Sequence, residues 1–103
     1  MDIFIVKDKT GREIRFSHER LKHVLCHSHM HEYREEIRHT LKEPLTIRVE
    51  EEKENVIYFY REYKERDPAE RYLLVAVKYL NGNGFIITSF FTNRITGRPW
   101  KKN

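Results

Sequence analysis

The spacing of hydrophobic residues changes twice along the chain. The sequence opens with "IFIV", continues through the polar run "KDKTGR" and returns with "EIRF". This pattern predicts a β-hairpin that turns around Lys9, Thr10 and Gly11, because a polar run with a glycine separates two short alternating strands.

Helical spacing follows the hairpin. Ser17 is a suitable N-cap for a first helix, and Pro44 cannot continue a second one. The apolar stripes of the two predicted helices comprise Leu21, Val24 and Leu25 in the first, and Tyr33, Ile37 and Leu41 in the second.

After Pro44 the apolar period falls to about two, which predicts the strands "LTIRVE", "NVIYFYREY", "RYLLVAVKYL" and "GFIITSFFT". The segment "NGNG" between the last two predicts a tight turn, because Asn and Gly tolerate positive φ angles. In the last strand, we expect one face to carry Thr88, Ile86, Phe90 and Thr92, and the other to carry Ser89, Ile87 and Phe91.

These elements predict an α+β fold with a short N-terminal hairpin, two helices and then a roughly four-stranded antiparallel sheet. Residues 1–103 contain no linker, repeat or low-complexity segment, so we expect a single domain. The helices are expected to cover one face of the sheet and to leave the other partly open.

Composition favours a cytoplasmic protein that does not enter the membrane. Hydrophobic residues make up 39% of the chain and charged residues 35%, as in a globular protein with a heavily charged surface. No apolar run approaches the roughly 20 residues of a membrane span, and the N-terminus lacks the features of a signal peptide. The single cysteine, Cys26, cannot form an internal disulfide.

Basic charge is concentrated at the end of the sequence. Residues 71–103 contain six Lys and Arg residues and no Asp or Glu. This excess predicts a polyanionic partner, and RNA is the partner that we expect. The alternative is a solvated basic surface without a specific partner.

The segment "HVLCHSHMH" contains four histidines and the only cysteine. His23, His27 and His31 would form a stripe on one helix, but the stripe spans about 12 Å, so one metal ion cannot contact all three. A site with two of these histidines and outside ligands stays open. A solvated polar stripe is the favoured interpretation, and we expect no metal or other cofactor.

Metal-independent RNA cleavage accounts for more of the polar residues. In that reaction the ribose 2′-OH attacks the adjacent phosphate, which requires an acid–base group and donors near the developing charge. His23 would supply the acid–base group from a helix. A facing sheet would supply the donors from Arg61, Lys78 and Thr88 or Ser89. Exposed tyrosines would stack on unpaired bases, with Tyr58, Tyr60 and Tyr79 as candidates.

Several of these segments, in this order, carry a family resemblance. The run "SHERLKHVLCHSHMHEYREEIRHTLKEPLTI" resembles the opening of a phage-associated branch of the Barnase–EndoU–Colicin–RelE-like nuclease superfamily. The segment "VIYFYREY" resembles its tyrosine-rich strand, and "YLLVAVKYLNGNGFIITSFFTNRITGRPW" resembles its last hairpin. The matching positions are Arg20, His23, Val24, Pro44, Ile47, Thr88, Phe90, Thr92, Gly97 and Trp100.

The resemblance implies a metal-independent endoribonuclease that acts on RNA or tRNA, often as a toxin encoded beside a small antitoxin protein. It assigns His23 as the helix histidine, Arg61 as the strand arginine and Thr88 as the last-strand hydroxyl. The His-Pro pair of that group is absent here, so His27 is included as a catalytic candidate and His29 competes for the same role. The residues expected to contact substrate are Arg20, Tyr60, Lys78, Ser89, Thr92 and Arg94.

The alternative is a non-catalytic module on the same fold that binds RNA or another protein. Such a module would bind RNA with an affinity that falls as salt rises, but it would not cut it.

Overall fold

The computed structural model describes residues 2–17 and 33–101. Within these ranges the chain forms strands β1 to β7, one α-helix and one short 3-10 helix. The strands are β1 Asp2–Lys7, β2 Glu13–Ser17, β3 Thr46–Val49, β4 Val56–Glu62, β5 Tyr72–Leu80, β6 Asn83–Thr92 and β7 Arg98–Pro99; the helices are α1 Arg34–Lys42 and the 3-10 turn Pro68–Glu70. The first predicted helix lies outside the described residues, and no described helix is long and apolar enough to cross a membrane.

All seven strands form one sheet in the order β1-β2-β6-β5-β4-β3-β7. Strands β2 and β6 are parallel, whereas the other neighbouring pairs are antiparallel. The predicted fold class is therefore wrong: a mixed seven-stranded sheet with one helix in the described residues replaces two helices and a four-stranded antiparallel sheet. The four strands predicted after Pro44 do form, but further strands extend their sheet at both edges.

The N-terminal hairpin is closed by the buried carboxylate of Asp8. Its Oδ1 accepts hydrogen bonds from the backbone N–H and hydroxyl of Thr10, at 2.8 and 2.6 Å, and from the N–H of Arg12 at 3.1 Å. Its Oδ2 accepts from the hydroxyl of Tyr79 on β5. The carboxylate therefore shapes the turn and also fastens the hairpin to the sheet.

The parallel pairing depends on a glycine. Ile14 of β2 lies opposite Gly84 of β6. A Cβ atom at Gly84 would collide with Ile14 Cδ1 and would lie 2.8 Å from Cγ1 of Val77. The missing side chain lets the hairpin approach β6, which leaves Val6 and Ile14 only 3% and 0% exposed.

Helix α1 covers one face of the sheet, called here the helix face. Its residues Ile37 and Leu41 are fully buried, in one cluster with Phe59, Leu73 and Val75. This confirms the apolar stripe predicted for the second helix, which ends at Lys42, two residues before Pro44. The opposite face is centred on Tyr60, Leu74 and Ala76 and is called here the aromatic face.

A β-bulge changes the alternation in β6. Thr88 pairs with Ala76 but Ile86 pairs with Val77, so Ile87 is an extra residue on β6. Ile86 consequently belongs to the buried cluster of the helix face, while Thr88 lies on the aromatic face. The predicted sharing of one face by Thr88 and Ile86, and of the other by Ser89 and Ile87, is wrong because the bulge shifts the period by one residue.

The C-terminal segment contacts both faces. Ile95 packs against the cluster around Tyr60. β7 then pairs with β3, and the backbone N–H of Trp100 donates to the carbonyl of Ile47 at 3.1 Å. The ring of Trp100 packs against the cluster of the helix face. Gly97 permits the crossing: it has a φ of 90°, and a Cβ there would lie 2.6 Å from the carbonyl oxygen of Val49.

Candidate active site

A groove of about 430 Å³ lies beside α1, close to where β4 ends. Both acidic and basic side chains line it. The lining residues are Glu35, Glu36, Arg38, His39, Lys42 and Tyr63. A groove with a histidine, cations and a phenol has the group types that acid–base chemistry on a phosphate ester requires.

His39 and Glu43 form a pair at the C-terminal end of α1. Nε2 of His39 lies 3.0 Å from Oε2 of Glu43, and the two side chains are 49% and 69% exposed. The hydrogen bond to His39 and its charge hold the pKa of Glu43 below the ordinary value, with smaller contributions from Arg61 and Lys9. An ionised carboxylate can only accept, so Nε2 of His39 carries the hydrogen of this bond, and Nδ1 is the ring nitrogen left to act as a base.

Arg61 reaches the same residue from the sheet. Its Nη1 donates a 2.6 Å hydrogen bond to the backbone carbonyl of Glu43. Arg61 stands two residues after Phe59 on β4, so its side chain belongs to the helix face. This bond uses one of the five N–H donors of the guanidinium, and the remaining geometry suits a phosphate.

Tyr63 brings a buried hydroxyl to the groove. Its oxygen is shielded from solvent and has no hydrogen-bond partner within the described part of the chain. Burial raises the pKa of Tyr63 above its ordinary value, although the nearby Thr40 and Arg61 oppose that shift. The phenol therefore keeps its proton at neutral pH.

The sheet separates residues that the sequence placed in one site. Arg61 pairs with Leu73 on the helix face, whereas Thr88 pairs with Ala76 on the aromatic face. Lys78 is exposed and pairs with Phe85, also on the aromatic face. Of these three residues, Arg61 is the one that lies on the same face as α1 and the groove, because side chains on opposite faces of a sheet point away from each other.

Two of the predicted substrate contacts are buried. Ser89 is 0% exposed, and its hydroxyl donates to the carbonyl of Leu74 at 2.7 Å. Tyr60 is 1% exposed, and its hydroxyl lies 3.4 Å from Oγ1 of Thr96. Both side chains therefore satisfy their polar atoms inside the protein.

The other predicted contacts divide between the surface and the undescribed residues. Thr92 is half-buried and accepts a 3.2 Å hydrogen bond from the backbone N–H of Arg94, which is exposed. The predicted positions outside the described residues are Arg20, His23, His27 and His29. Among residues 2–17 and 33–101, no group of three or more His, Cys, Asp or Glu side chains is arranged to hold a metal ion.

Comparison with known protein families assigns the class of protein. The model of a family described as phage-Barnase-EndoU-ColicinE5/D-RelE like nuclease2 matches residues 3–103. The chain belongs to this nuclease family. No curated protein and no solved structure matches it. The family resemblance found in the sequence is therefore confirmed over nearly the whole chain.

His39, Glu43 and Tyr63 of this nuclease were not among the site residues predicted from the sequence. Two spacings could have indicated them. His39 and Glu43 are four residues apart at the end of a helical pattern, and Tyr63 follows Arg61 by two residues, which places both on one face of a strand. Neither spacing is specific without the fold that brings α1 against β4.

Proposed function

We propose that this nuclease is a metal-independent endoribonuclease whose catalytic site is the groove between α1 and β4. The observation that carries the proposal is that Glu43 holds both an acid–base histidine and an arginine: its carboxylate pairs with His39, and its carbonyl accepts from Arg61. Fixed placement of a base and a cation on one phosphate is the main requirement for cleavage by the neighbouring 2′-OH.

The groove supplies a group for each step of that reaction. His39 takes the 2′-OH proton on Nδ1 while O2′ forms a bond to phosphorus and the P–O5′ bond breaks. Arg61 stabilises the charge on the non-bridging oxygens. Lys42, which lines the groove, delivers a proton to the leaving O5′. The products are a 2′,3′-cyclic phosphate and a free 5′-hydroxyl.

Incubation of the purified protein with a defined oligoribonucleotide in excess EDTA tests this chemistry. We expect cleavage, products that end in a 2′,3′-cyclic phosphate, and complete protection of a strand with 2′-deoxyribose on the 5′ side of the cut. Cleavage of that deoxy strand, or products with a 3′-hydroxyl, would exclude attack by the 2′-OH. Loss of all activity in EDTA would exclude the metal-independent reaction.

We further propose that the protein is a toxin and that a small antitoxin protein inhibits it. A phage-related nuclease family and a solvent-accessible groove with exposed His39 and Glu43 support it, because an inhibitor can occlude such a groove directly. Expression of the chain alone should arrest bacterial growth, and the His39→Gln variant should not. Normal growth with the wild-type chain at the same protein level would contradict the toxin role.

A further inference from the structure

The aromatic face presents rings on the side of the sheet away from α1. Phe90 is 38% exposed, and Tyr58, Tyr72 and Phe85 are half-buried at other positions of the same face. Tyr58 and Tyr72 pack against the buried centre of this face, while Phe85 and Phe90 reach it from β6. Rings held at their base and exposed at their edges or faces have the form of a stacking surface for bases.

A cation accompanies these rings. Lys78 is exposed opposite Phe85 on this face, and within the described ranges it forms no salt bridge. Of the acids nearest to this face, Glu62 pairs with Arg71 at 2.7 Å. Strands β5 and β6 contain no Asp or Glu. The part of the face that these two strands form is therefore complementary to a negatively charged chain.

The length of the face suits a short stretch of single strand. Lys78 and Tyr72 stand at its two ends on β5, about 20 Å apart at the usual rise of a strand. At the Tyr72 end, β5 pairs with the last residue of β4, Glu62, and the N–H of Tyr63 donates to the carbonyl of Arg71 at 2.7 Å. The aromatic face thus reaches the same end of the sheet as the groove.

From this arrangement we infer that the aromatic face binds single-stranded RNA outside the cleaved nucleotides, with Phe90 stacking on a base and Lys78 contacting a phosphate. The inference rests on the proposed endoribonuclease function, because it identifies the strand that enters the groove as unpaired. A duplex cannot stack its bases on Phe90, since they are already stacked on each other. Residues of the aromatic face then set the affinity for long substrates, while residues of the groove set the rate of the cleavage step.

A binding assay tests the face without any cleavage. Fluorescence anisotropy of a labelled 2′-O-methyl oligonucleotide, which the enzyme cannot cut, should show salt-dependent binding and much weaker binding of the corresponding duplex. Phe90→Ala should weaken binding of the single strand by at least about five-fold, and Phe90→Leu should do the same because it keeps an apolar side chain but no ring. Lys78→Gln should lower the salt slope by about 0.7, whereas Lys53→Gln on the acidic β3–β4 loop should not.

Equal affinity for single strand and duplex would overturn the inference. Wild-type affinity in Phe90→Ala and Lys78→Gln would also overturn it, and would be expected if the face instead docks a protein. Circular dichroism of each variant must first show an unchanged fold, and Phe90→Leu serves if Phe90→Ala does not fold.

A cleavage assay separates this inference from the proposed function. A dinucleoside monophosphate reaches only the groove, so Phe90→Ala should cut it as fast as the wild type, while its KM for a long single strand rises. Equal KM values for the long strand would contradict the inference and leave the endoribonuclease intact. Absence of cleavage of both substrates by the wild type would contradict the proposed function, while the binding assay would still decide the role of the face.

Discussion

The backbone carbonyl of Glu43 accepts a 2.6 Å hydrogen bond from Nη1 of Arg61, directly after the last turn of α1. The same residue binds His39 through its carboxylate. Helix and strand are thus joined through a single connection residue, and the two groups proposed for catalysis take their positions from it. Changes at any of the three residues should therefore affect the chemical step more than they affect stability.

Arg61 is expected to require its planar guanidinium. Arg61→Lys keeps the charge but cannot bind both Glu43 and a phosphate with the same geometry, so kcat/KM should fall about 10²-fold. The Arg61→Ala variant should have a still lower kcat/KM. Steady-state cleavage of an oligoribonucleotide measures the loss, with Arg98→Lys, at an exposed position of β7, as the matched control. Full activity in Arg61→Lys would show that the side chain acts only as a charge.

The histidines can be distinguished by single substitutions to glutamine. His39→Gln should lower kcat by about 10² to 10⁴-fold, because the proposed base is lost, with little change in KM. His23→Gln and His27→Gln test the catalytic roles predicted from the sequence, with His31→Gln as the control. If His23→Gln abolishes cleavage while His39→Gln retains it, the acid–base group is on the segment before α1 and the groove assignment fails.

Tyr79 should make the fold sensitive to alkali. Its hydroxyl donates to Asp8, and the guanidinium of Arg12 lies 3.5 Å from the ring centroid. Burial raises the pKa of Tyr79 well above its ordinary value, and the hydrogen bond and charge of Asp8 raise it further. The unfolded chain then ionises this tyrosine first, so its contribution to stability is complete below about pH 10 and declines as pH rises further.

Urea unfolding at two pH values checks this contribution. Tyr79→Phe should lower the free energy of unfolding by about 2 kcal/mol at pH 7, because the buried carboxylate loses a hydrogen bond. The variant should then lose less stability than the wild type between about pH 9 and 11. Tyr72→Phe, at a half-buried position, should behave as the wild type does. Parallel pH profiles for wild type and Tyr79→Phe would contradict the assignment.

Substitution of Gly84 and of Gly82 should lower the free energy of unfolding for different physical reasons. Gly84→Ala places a methyl group against Ile14 and Val77 in the core, so we expect a loss of about 1 to 3 kcal/mol. Gly82→Ala meets no atom within 4 Å but has a φ of 84°, so its cost should be the smaller penalty of a left-handed residue, about 1 kcal/mol. The midpoints of denaturant unfolding of the two variants measure the two losses of stability. A smaller loss for Gly84→Ala would show that β2 can move away from β6.

Local patterns predicted most elements correctly. The alternation around Phe59 and Val75 gave the positions of β4 and β5, and the stripe containing Ile37 and Leu41 gave α1, because each pattern is imposed by one neighbouring face. The segment "NGNG" became a turn with positive φ angles at Asn81 and Gly82, as its composition requires. These features depend on residues close together in sequence.

Features that depend on distant residues were not predicted. The residues around Ile14 in the sequence give no indication that it pairs with Gly84. The bulge at Ile87 lies in a run of apolar residues, where it cannot be distinguished from regular alternation. The same limit applies to the site. Arg61 was predicted from its residue type and from the family pattern, whereas His39 becomes a candidate only because α1 ends against the strand that carries Arg61.

The parallel contact between β2 and β6 has a consequence for the order of folding. A strand near one end of the chain pairs with a strand near the other, so the loop that closes this contact contains α1, β3, β4 and β5. Such long-range closure slows folding, because chain entropy is lost before the contact forms. On the ribosome, the side of Ile14 that packs against β6 stays uncovered until Gly84 has emerged. The part of the aromatic face that β6 forms is therefore completed late in synthesis, after α1 and β4 have emerged.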